Sequence, residues 1–298
     1  MLDDANMALP QQETVRWSRL TSLRAGRGEV LVFRPRSMEE LSALLQARQA
    51  GLVPALSPLG AGTNLLGYDD CQPLAMVRLA AGGEFSVVQS QGGGLFRLGT
   101  ANLLGRTLEQ LAVDGYGGFA GLAGIPGTLG GALAMNAGAN GQEIAEAVRA
   151  MEGVDLESGK SWSWQTEQGG WGYRQSPVPR QVLLTSAVLQ LQTVSPEEEK
   201  GRISAEYQRR QRVTPRGASA GSVFRNPPGA AAGKLLEEAG CKGLQIGAYQ
   251  VSQQHANWIV NETGGEGSAE DCLNLLREMQ CRVLNNSHIS LQPEWRRP

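Results

Sequence analysis

Apolar and polar positions along the chain predict short strands that alternate with helices. The run EVLVFRP, which begins at Glu29, is rich in β-forming residues and predicts a strand that ends at its proline. Ser37 and Glu40 follow as a capping box, and LSALLQARQ behind them has the composition of a helix. Residues 53–59 are again apolar and predict a second strand. Strand, helix and strand within about 30 residues indicate a βαβ unit.

The remaining pattern predicts more elements of both kinds, whereas residues 1–20 are expected to be a loose lead-in. Further strands are predicted over AMVRLA, FSVVQSQ and LFRLGT, and over 147–156, 161–164 and 182–192. Helices are predicted over 102–114, from Pro196 to before Pro215, over 231–239, and behind an N-cap at Ser268.

Composition narrows the class of protein. Hydrophobic residues make up 41% of the 298 and charged residues 19%, which is enough to bury a core. The net charge of −2 argues against general binding to nucleic acid or to anionic membranes. No apolar run approaches the roughly 20 residues that span a bilayer, and the acidic start MLDDANMALPQQET is unlike a signal peptide. We therefore expect a cytoplasmic protein without membrane insertion.

Cysteine and histidine usage argues against a metal site. The four cysteines lack CxxC spacing, which is typical of structural thiols in a reducing compartment. His255 and His288 are the two histidines of the chain, so a histidine-rich metal centre is not expected. The sequence predicts no bound metal.

A glycine-dense stretch over 121–141, GLAGIPGTLGGALAMNAGANG, is the most unusual part of the chain. Its interleaved apolar residues distinguish it from a flexible linker. Glycine lets the backbone come within contact distance of a ligand, which would suit a flat, phosphate-bearing cofactor. A tight loop that packs against a sheet explains the same composition, and the stretch alone does not separate the two interpretations.

A second glycine turn, GAGTNLL over 60–66, follows the predicted strand 53–59. Its backbone N–H groups could form a nest for a phosphate. It is not a Walker A loop, because no Lys-Ser/Thr pair follows, and Leu65 occupies the place of the third glycine in GxGxxG. An ordinary strand-to-loop turn is the alternative.

Three polar residues are ordinary when each is considered alone. Ser222 follows a glycine at the start of an apolar run and could be a simple turn serine. With two histidines in the chain, a Ser-His-Asp triad has little support. Arg174 could be a solvated arginine and Glu294 a surface carboxylate.

Five motifs in one order resemble a known family. They are GAGTNLL, AGIPGTLGGA followed by GANG, GYRQS, AGSVFRNP and LQPE. This order resembles the UDP-N-acetylenolpyruvoylglucosamine reductases (MurB), flavoenzymes of bacterial peptidoglycan precursor synthesis. The resemblance extends over 21–295.

The resemblance implies an α+β fold. A two-part FAD-binding domain of the vanillyl-alcohol-oxidase (PCMH) type would precede a C-terminal α+β substrate-binding domain, with boundaries of 1–72, 73–194 and 195–298. The residues that resemble the family's cofactor contacts are Gly60, Gly62, Thr63, Asn64, Leu65, Gly124, Ile125, Pro126, Gly127, Gly131, Asn136, Gly138 and Arg212.

The resemblance also implies the reaction. NADPH would reduce FAD, which would then reduce the enolpyruvyl ether of a UDP-sugar. Arg174 and Glu294 would stabilise the developing charge, and Ser222 would donate a proton. The implied substrate contacts are Tyr173, Arg225, Asn226, His255 and Asn257. We expect a monomer with this small-molecule substrate and no nucleic-acid partner.

Departures from the family pattern are local. Only a few residues separate GYRQS from Val182, which resembles the subtype without an inserted tyrosine loop (type II). Asn140 replaces the usual aromatic residue, and Gln292 replaces the first glutamate of LEPE. These changes concern contacts to the substrate more than the reaction.

Two alternative functions are weaker. A different oxidoreductase on the same flavin fold would often attach its flavin through histidine, and no histidine precedes His255. A non-catalytic flavin-binding module would be expected to lack some of the residues Arg174, Ser222 and Glu294, but all three are present.

Overall fold

The computed structural model describes residues 9–298. Residues 1–8, which form part of the predicted lead-in, lie outside the described chain. The strands are β1 Gln11–Arg16, β2 Glu29–Arg34, β3 Ala55–Pro58, β4 Leu74–Val77, β5 Val88–Gly92, β6 Leu95–Gly99, β7 Tyr116–Gly117, β8 Gly138–Ala139, β9 Gln142–Glu143, β10 Val148–Asp155, β11 Ser161–Gln165, β12 Val182–Gln190, β13 Gln192–Thr193, β14 Gln245–Ile246, β15 Tyr249–Val251 and β16 Ile259–Asn261.

Helices connect these strands. The α-helices are α1 Trp17–Leu20, α2 Met38–Gln49, α3 Leu104–Val113, α4 Leu129–Ala134, α5 Pro196–Val213, α6 Ala232–Glu238 and α7 Ala269–Ser287. Short 3-10 turns cover Glu84–Ser86, Ala120–Leu122, Ile144–Glu146 and Thr166–Gln168. The chain divides into two compact units, which in the described part comprise 9–14, 31–60 and 73–207, and 15–30, 61–72 and 208–298.

The first unit contains two large sheets, besides the two-stranded pairs β7–β13 and β8–β9. A four-stranded sheet has the order β1-β2-β4-β3, and β4 pairs in parallel with β2 and β3. Strands β2 and β3 therefore lie parallel on either side of β4, and α2 is part of the crossover that connects them. Leu41, Leu44 and Phe33 are fully buried on the side where helix and sheet meet.

The second sheet of the first unit is antiparallel. Its order is β11-β10-β12-β6-β5, with β12 paired to both β10 and β6. Leu98, Met151 and Ala187 are buried in its core, together with Leu129 and Leu133 of the short helix α4. The glycine-dense stretch is therefore held to this sheet by its interleaved apolar residues.

The second unit surrounds a separate core. Strands β14, β15 and β16 form a small antiparallel sheet, and the long helix α7 packs with α6 in the same cluster. Tyr249, Ile259 and Met279 are fully buried there. Leu23 and Leu66 belong to this core as well, although they come from the first 72 residues.

Most predicted elements are confirmed within a few residues. The Ser37 hydroxyl caps α2 by accepting from the Glu40 N–H, but the Glu40 carboxylate accepts from the Arg36 N–H and not from that of Ser37. Ser268 caps α7 as predicted. The prediction of a loose lead-in is wrong for 11–20, which form β1 and α1, because Trp17 and Leu20 are buried.

The three-domain division at 72 and 194 stays a prediction. No helix in the range 9–298 is both long enough and apolar enough to cross a membrane.

Candidate active site

In the first unit, the turn after β3 lies against the start of α4. A Cβ built on Gly60 would come within 2.9 Å of the Thr128 hydroxyl. That hydroxyl caps α4 by accepting from the Gly131 N–H at 3.2 Å. A Cβ on Gly131 would meet only the Thr128 hydroxyl, at 3.4 Å, among the described residues. The two glycines thus form a surface without side chains, open on the Gly131 side.

The segment before α4 combines backbone turns with a connection to α3. Gly124 and Gly127 have φ of 75° and 134°. The Gly127 carbonyl accepts from the Leu104 N–H at 3.0 Å, which fixes the segment to the start of α3. Ile125 is half-buried against the core, whereas Pro126 is exposed. The predicted cofactor segment 124–127 is therefore held by its backbone.

Asn136 connects the glycine-dense stretch to a later loop. It is fully buried and has φ of 43°. Its Nδ2 donates to the Glu143 carboxylate at 2.7 Å and to the Gly172 carbonyl at 2.9 Å, and its Oδ1 accepts from the Ala145 N–H at 3.3 Å. Because protein groups bind both ends of the amide, the side chain positions the 172–175 loop.

Arg174 lies in that loop with a left-handed backbone, φ 54°. This conformation is uncommon for a residue with a side chain and costs about 1–2 kcal/mol. Its Nη2 donates to the Gly138 carbonyl at 3.0 Å, and its guanidinium lies 5.3 Å from the centre of the Tyr173 ring. A Cβ on Gly138 would come within 3.4 Å of Arg174 Nη1. The structure thus brings Asn136, Gly138 and Arg174 together.

Two residues at the middle of α5 also hold this region, although no sequence motif predicts them. The Tyr207 hydroxyl donates to the Glu109 carboxylate at 2.7 Å, and Asn140 Nδ2 donates to Glu206 at 2.7 Å. Burial and the Glu109 carboxylate raise the pKa of Tyr207, although a backbone hydrogen bond from Gly124 opposes part of this shift. No local motif marks Tyr207, since α5 has a predominantly charged sequence.

In the second unit, the remainder of the GAGTNLL turn pairs with the C-terminal residues. A Cβ on Gly62, whose φ is 74°, would lie 1.8 Å from the Leu20 carbonyl oxygen, so only glycine fits. Asn64 Nδ2 donates to the Glu294 carbonyl at 3.2 Å, and Leu65 forms a parallel bridge with Arg296. Thr63 lies within the same turn. The turn and the segment that contains Glu294 are therefore joined by hydrogen bonds.

The segment 222–225 lies between two neighbours in a small ladder. On one side the Val223 N–H donates to the Asn257 carbonyl, and Ser222 forms a bridge with Trp258. On the other side the Glu294 N–H donates to the Val223 carbonyl at 2.8 Å. Ser222 and Glu294 are thus on adjacent segments. The Ser222 hydroxyl makes no hydrogen bond to any described residue.

The predicted substrate contacts of this unit differ in how their side chains are used. Asn257 is buried and binds the Phe224 backbone at both ends of its amide, at 2.9 and 2.8 Å. The Asn226 side chain is exposed and accepts from the first N–H of α6 at 2.9 Å. Arg225 Nε is buried and has no hydrogen-bond partner among the described residues. Of these side chains, Arg225 retains an unsatisfied donor for a ligand.

The side chains of His255 and Arg212 differ in their burial and in their contacts. His255 Nδ1 accepts from the Asn257 N–H at 3.2 Å, and its ring lies 5.5 Å from that of Trp258. Burial lowers the pKa of His255, and the Lys242 ammonium lowers it further. Arg212 has an exposed side chain near the end of α5, and its carbonyl accepts from Gln254 Nε2 at 2.7 Å.

The residues present fit a flavin dinucleotide. The Gly60 and Gly131 surface exposes backbone that a flat or phosphate-bearing group can approach, and no side chain could be added at Gly60 without displacing Thr128. No cluster of histidine, cysteine and acidic side chains capable of holding a metal occurs among residues 9–298.

Known proteins share these features. Residues 212–297 match the family model "UDP-N-acetylenolpyruvoylglucosamine reductase, C-terminal domain", and residues 30–163 match "FAD binding domain". The UDP-N-acetylenolpyruvoylglucosamine reductase of Myxococcus xanthus is 40% identical over 93% of this chain and 89% of its own length. This chain belongs to the UDP-N-acetylenolpyruvoylglucosamine reductase (MurB) family.

A further relative and a solved structure agree with this membership. The reductase of Thermus thermophilus is 38% identical over 80% of this chain and 83% of its own length. The crystal structure of the MurB reductase from Thermus caldophilus matches with a TM-score of 0.81 and 33% identity, over 96% of this chain and 98% of that one.

Family membership confirms several predictions. The protein is an FAD-dependent oxidoreductase of α+β fold, with an FAD-binding domain followed by the MurB C-terminal domain. A non-catalytic module is thereby set aside. The assignments of individual residues to cofactor, substrate and catalysis stay predictions.

Proposed function

We propose that the protein reduces the enolpyruvyl ether of UDP-N-acetylglucosamine to UDP-N-acetylmuramate, with NADPH as electron donor and FAD as hydride carrier. The observation that carries this proposal is the ladder of the second unit. It holds Ser222 next to the Glu294 segment, and the Ser222 hydroxyl is bound to no described protein group. Relatives named as this reductase, such as that of Myxococcus xanthus, support the choice of substrate.

Ser222 is assigned the protonation step. When bound, FAD would supply the hydride chemistry that connects NADPH to the enolpyruvyl group. Negative charge then develops at C2 of the substrate, and the Ser222 hydroxyl donates its proton there. A hydroxyl is a weak acid, so this step needs a strongly basic carbon and cationic groups nearby.

Arg174 and Glu294 are assigned to the substrate carboxylate. Hydrogen bonds to this group stabilise the charge that spreads into it from C2. Glu294 would donate such a bond in its protonated form. The left-handed backbone of Arg174 and its bond to the Gly138 carbonyl support a fixed orientation of this guanidinium.

The cofactor and substrate would use groups of different kinds. The backbone at Gly60, Gly124, Gly127 and Gly131 would hold FAD, while Asn136 positions the loop of Arg174. Arg225, with its buried and unpartnered Nε, would contact an anionic part of the substrate. Asn257 would keep Phe224 in place and would not contact the substrate itself.

The remaining assignments belong to the same proposal. They are a cytoplasmic location, a monomeric state, the type II subtype and the three-domain division at residues 72 and 194. Size-exclusion chromatography with light scattering measures the oligomeric state.

Two half-reactions of the purified protein test the function. We expect a yellow protein with non-covalent FAD that oxidises NADPH rapidly only when the UDP-enolpyruvyl sugar is supplied. Stopped-flow absorbance follows flavin reduction by NADPH and flavin reoxidation by the sugar separately. A flavin-loaded protein that the sugar cannot reoxidise would falsify the proposal.

Replacement of Ser222 by alanine tests the proton donor. We expect S222A to slow reoxidation by about 10²- to 10⁴-fold and to leave reduction by NADPH within a factor of about two. Ser219→Ala is the matched control, since the Ser219 hydroxyl accepts from Trp258 Nε1 at 2.6 Å and from the Gly221 N–H. If S222A slowed flavin reduction and flavin reoxidation equally, Ser222 would have a structural role and would not be the proton donor.

A further inference from the structure

The side chain of Asn64 connects the glycine turn directly to the segment that carries Glu294. Its Nδ2 donates to the Glu294 carbonyl at 3.2 Å. The backbone continues the pairing, because the Arg296 N–H donates to the Asn64 carbonyl at 3.1 Å and the Leu66 N–H to the Arg296 carbonyl at 3.0 Å. Residues 230 positions apart in sequence therefore share one hydrogen-bonded ladder.

The opposite edge of the Glu294 segment is also paired. The Glu294 N–H donates to the Val223 carbonyl at 2.8 Å, and the Arg225 N–H donates to the Gln292 carbonyl at 2.9 Å. Both backbone groups of Glu294 are thus in use, one toward the residue after Ser222 and one toward Asn64. Displacing Asn64 would move the residue that bears the carboxylate.

The turn itself has little freedom to move away. On the N-terminal side, the Ser22 N–H donates to the Gly62 carbonyl at 3.0 Å, and a Cβ on Gly62 would lie 1.8 Å from the Leu20 carbonyl oxygen. On the C-terminal side, the Tyr68 hydroxyl donates to the Pro298 carbonyl at 2.6 Å, and the Arg297 guanidinium lies 4.1 Å from the centre of the Tyr68 ring. The contacts on both sides of Asn64 hold the turn and the 294–298 segment in register.

We infer that Asn64 is a positioning residue for Glu294, through which the predicted flavin turn orients the carboxylate that acts on the substrate. This inference rests on the proposed function, which assigns that role to Glu294. Coupling between sites is reciprocal in free energy, so cofactor contacts that order the turn also favour the active placement of Glu294. The coupling is expected to matter in the substrate half of the reaction and not in the NADPH half.

Substitution of Asn64 by an isostere separates hydrogen bonding from packing. In Asn64→Asp the shape is kept, but an oxygen replaces the donor that faces the Glu294 carbonyl. In Asn64→Ala the donor is lost without introducing a repulsive charge. We expect flavin reoxidation by the UDP-enolpyruvyl sugar to slow about three- to tenfold in N64A, which corresponds to one hydrogen bond, and more in N64D.

Both variants are measured by stopped flow at saturating FAD, with the FAD dissociation constant determined separately. Reduction by NADPH is expected to stay within about twofold of the wild-type rate. Gln72→Ala is the control from just beyond the turn, since its amide donates to the Asp70 carboxylate at 2.9 Å and the residue belongs to no predicted site. We expect it to leave the ratio of the two half-reaction rates unchanged. Hydrogen exchange of the flavin-loaded variants should increase at 292–298 and stay unchanged in the middle of α7.

The order of the two variants decides the inference. If Asn64 acted only through packing, N64A would be slower than N64D, and that order would overturn the inference. Equal slowing of both half-reactions would overturn it as well. Failure of the proposed function is recognised independently, because the wild-type flavin would then not be reoxidised by the sugar. A wild type that turns over, combined with an unchanged rate ratio in N64A and N64D, overturns only the coupling.

Discussion

The glycine-dense region of the first unit and the ladder of the second unit use polar side chains in opposite ways. In the first, Thr128, Asn136 and Arg174 bond to backbone groups of their own region. In the second, Asn257 does the same for Phe224, but the Ser222 hydroxyl and the Nε of Arg225 have no hydrogen-bond partner among the described residues. The glycine-dense region therefore offers backbone groups to a ligand, whereas the ladder of the second unit offers side chains.

This difference matches the two tasks assigned to the protein. A cofactor that remains bound is well served by a rigid backbone surface, whose hydrogen-bonding groups are already oriented. A substrate that enters and leaves needs side chains that can donate a proton or accept charge. We therefore expect substitutions in the first region to lower the stability of the protein. Substitutions at the unsatisfied groups of the second region should instead change the reaction with the substrate.

The largest effect on stability is expected from Asn136→Ala. The change removes two hydrogen bonds donated to Glu143 and Gly172 and one accepted from Ala145, all at a fully buried position. We expect the free energy of unfolding to fall by about 3 kcal/mol. Urea unfolding at a fixed FAD concentration measures it.

Asn140→Ala is the control for this substitution. Asn140 also has a left-handed backbone, with φ 56°, but it is exposed and bonds to Glu206. Its loss should cost less than about 1 kcal/mol. Similar costs for the two variants would mean that the left-handed backbone that both residues share, and not the buried amide of Asn136, accounts for the loss of stability.

An intermediate effect is expected from Asn257→Ala in the second region. Two buried backbone groups of Phe224 lose their partner, so we expect a loss of about 2 kcal/mol in the free energy of unfolding. The KM for the UDP-enolpyruvyl sugar should stay within about twofold of the wild-type value, since the amide is committed to the protein.

Asn226→Ala provides the comparison, because this exposed side chain bonds to a single N–H of α6. We expect it to cost about 0.5–1 kcal/mol. An increase of KM by more than tenfold in N257A, with stability unchanged, would instead make Asn257 a substrate contact, as the sequence predicts.

The smallest effect is the pH dependence contributed by His255. Burial and the Lys242 ammonium lower the pKa of His255 in the folded protein, whereas the Glu237 carboxylate opposes them. Below about pH 6.5 the unfolded chain therefore binds a proton that the folded chain does not, and stability falls as the pH decreases. At higher pH both states are neutral and the contribution is constant.

His255→Gln should make the free energy of unfolding less dependent on pH between 7 and 5. Unfolding midpoints over this range, with His288→Gln as the second-histidine control, measure the change. An unchanged pH dependence in H255Q would show that the imidazole keeps a similar proton affinity in both states.

Local patterns determined much of this protein. The capping serines Ser37 and Ser268 and the apolar spacing behind them predicted α2 and α7, since a helix depends on interactions three or four residues apart. Ordered motifs identified the family, and the interleaved apolar residues of 121–141 indicated a buried stretch. The short helix α4 inside that stretch was not predicted, because its glycines are poor helix formers.

Tertiary structure decided which polar groups are used by the protein and which are left for ligands. The amides of Asn136, Asn257 and Asn64 look alike in sequence, yet each finds a partner through contacts 33 to 230 residues away along the chain. It also decided that Gly62 lies against the Leu20 carbonyl. Such pairings follow from how whole elements pack around a core, and a local pattern contains no information about the partner that packing brings near.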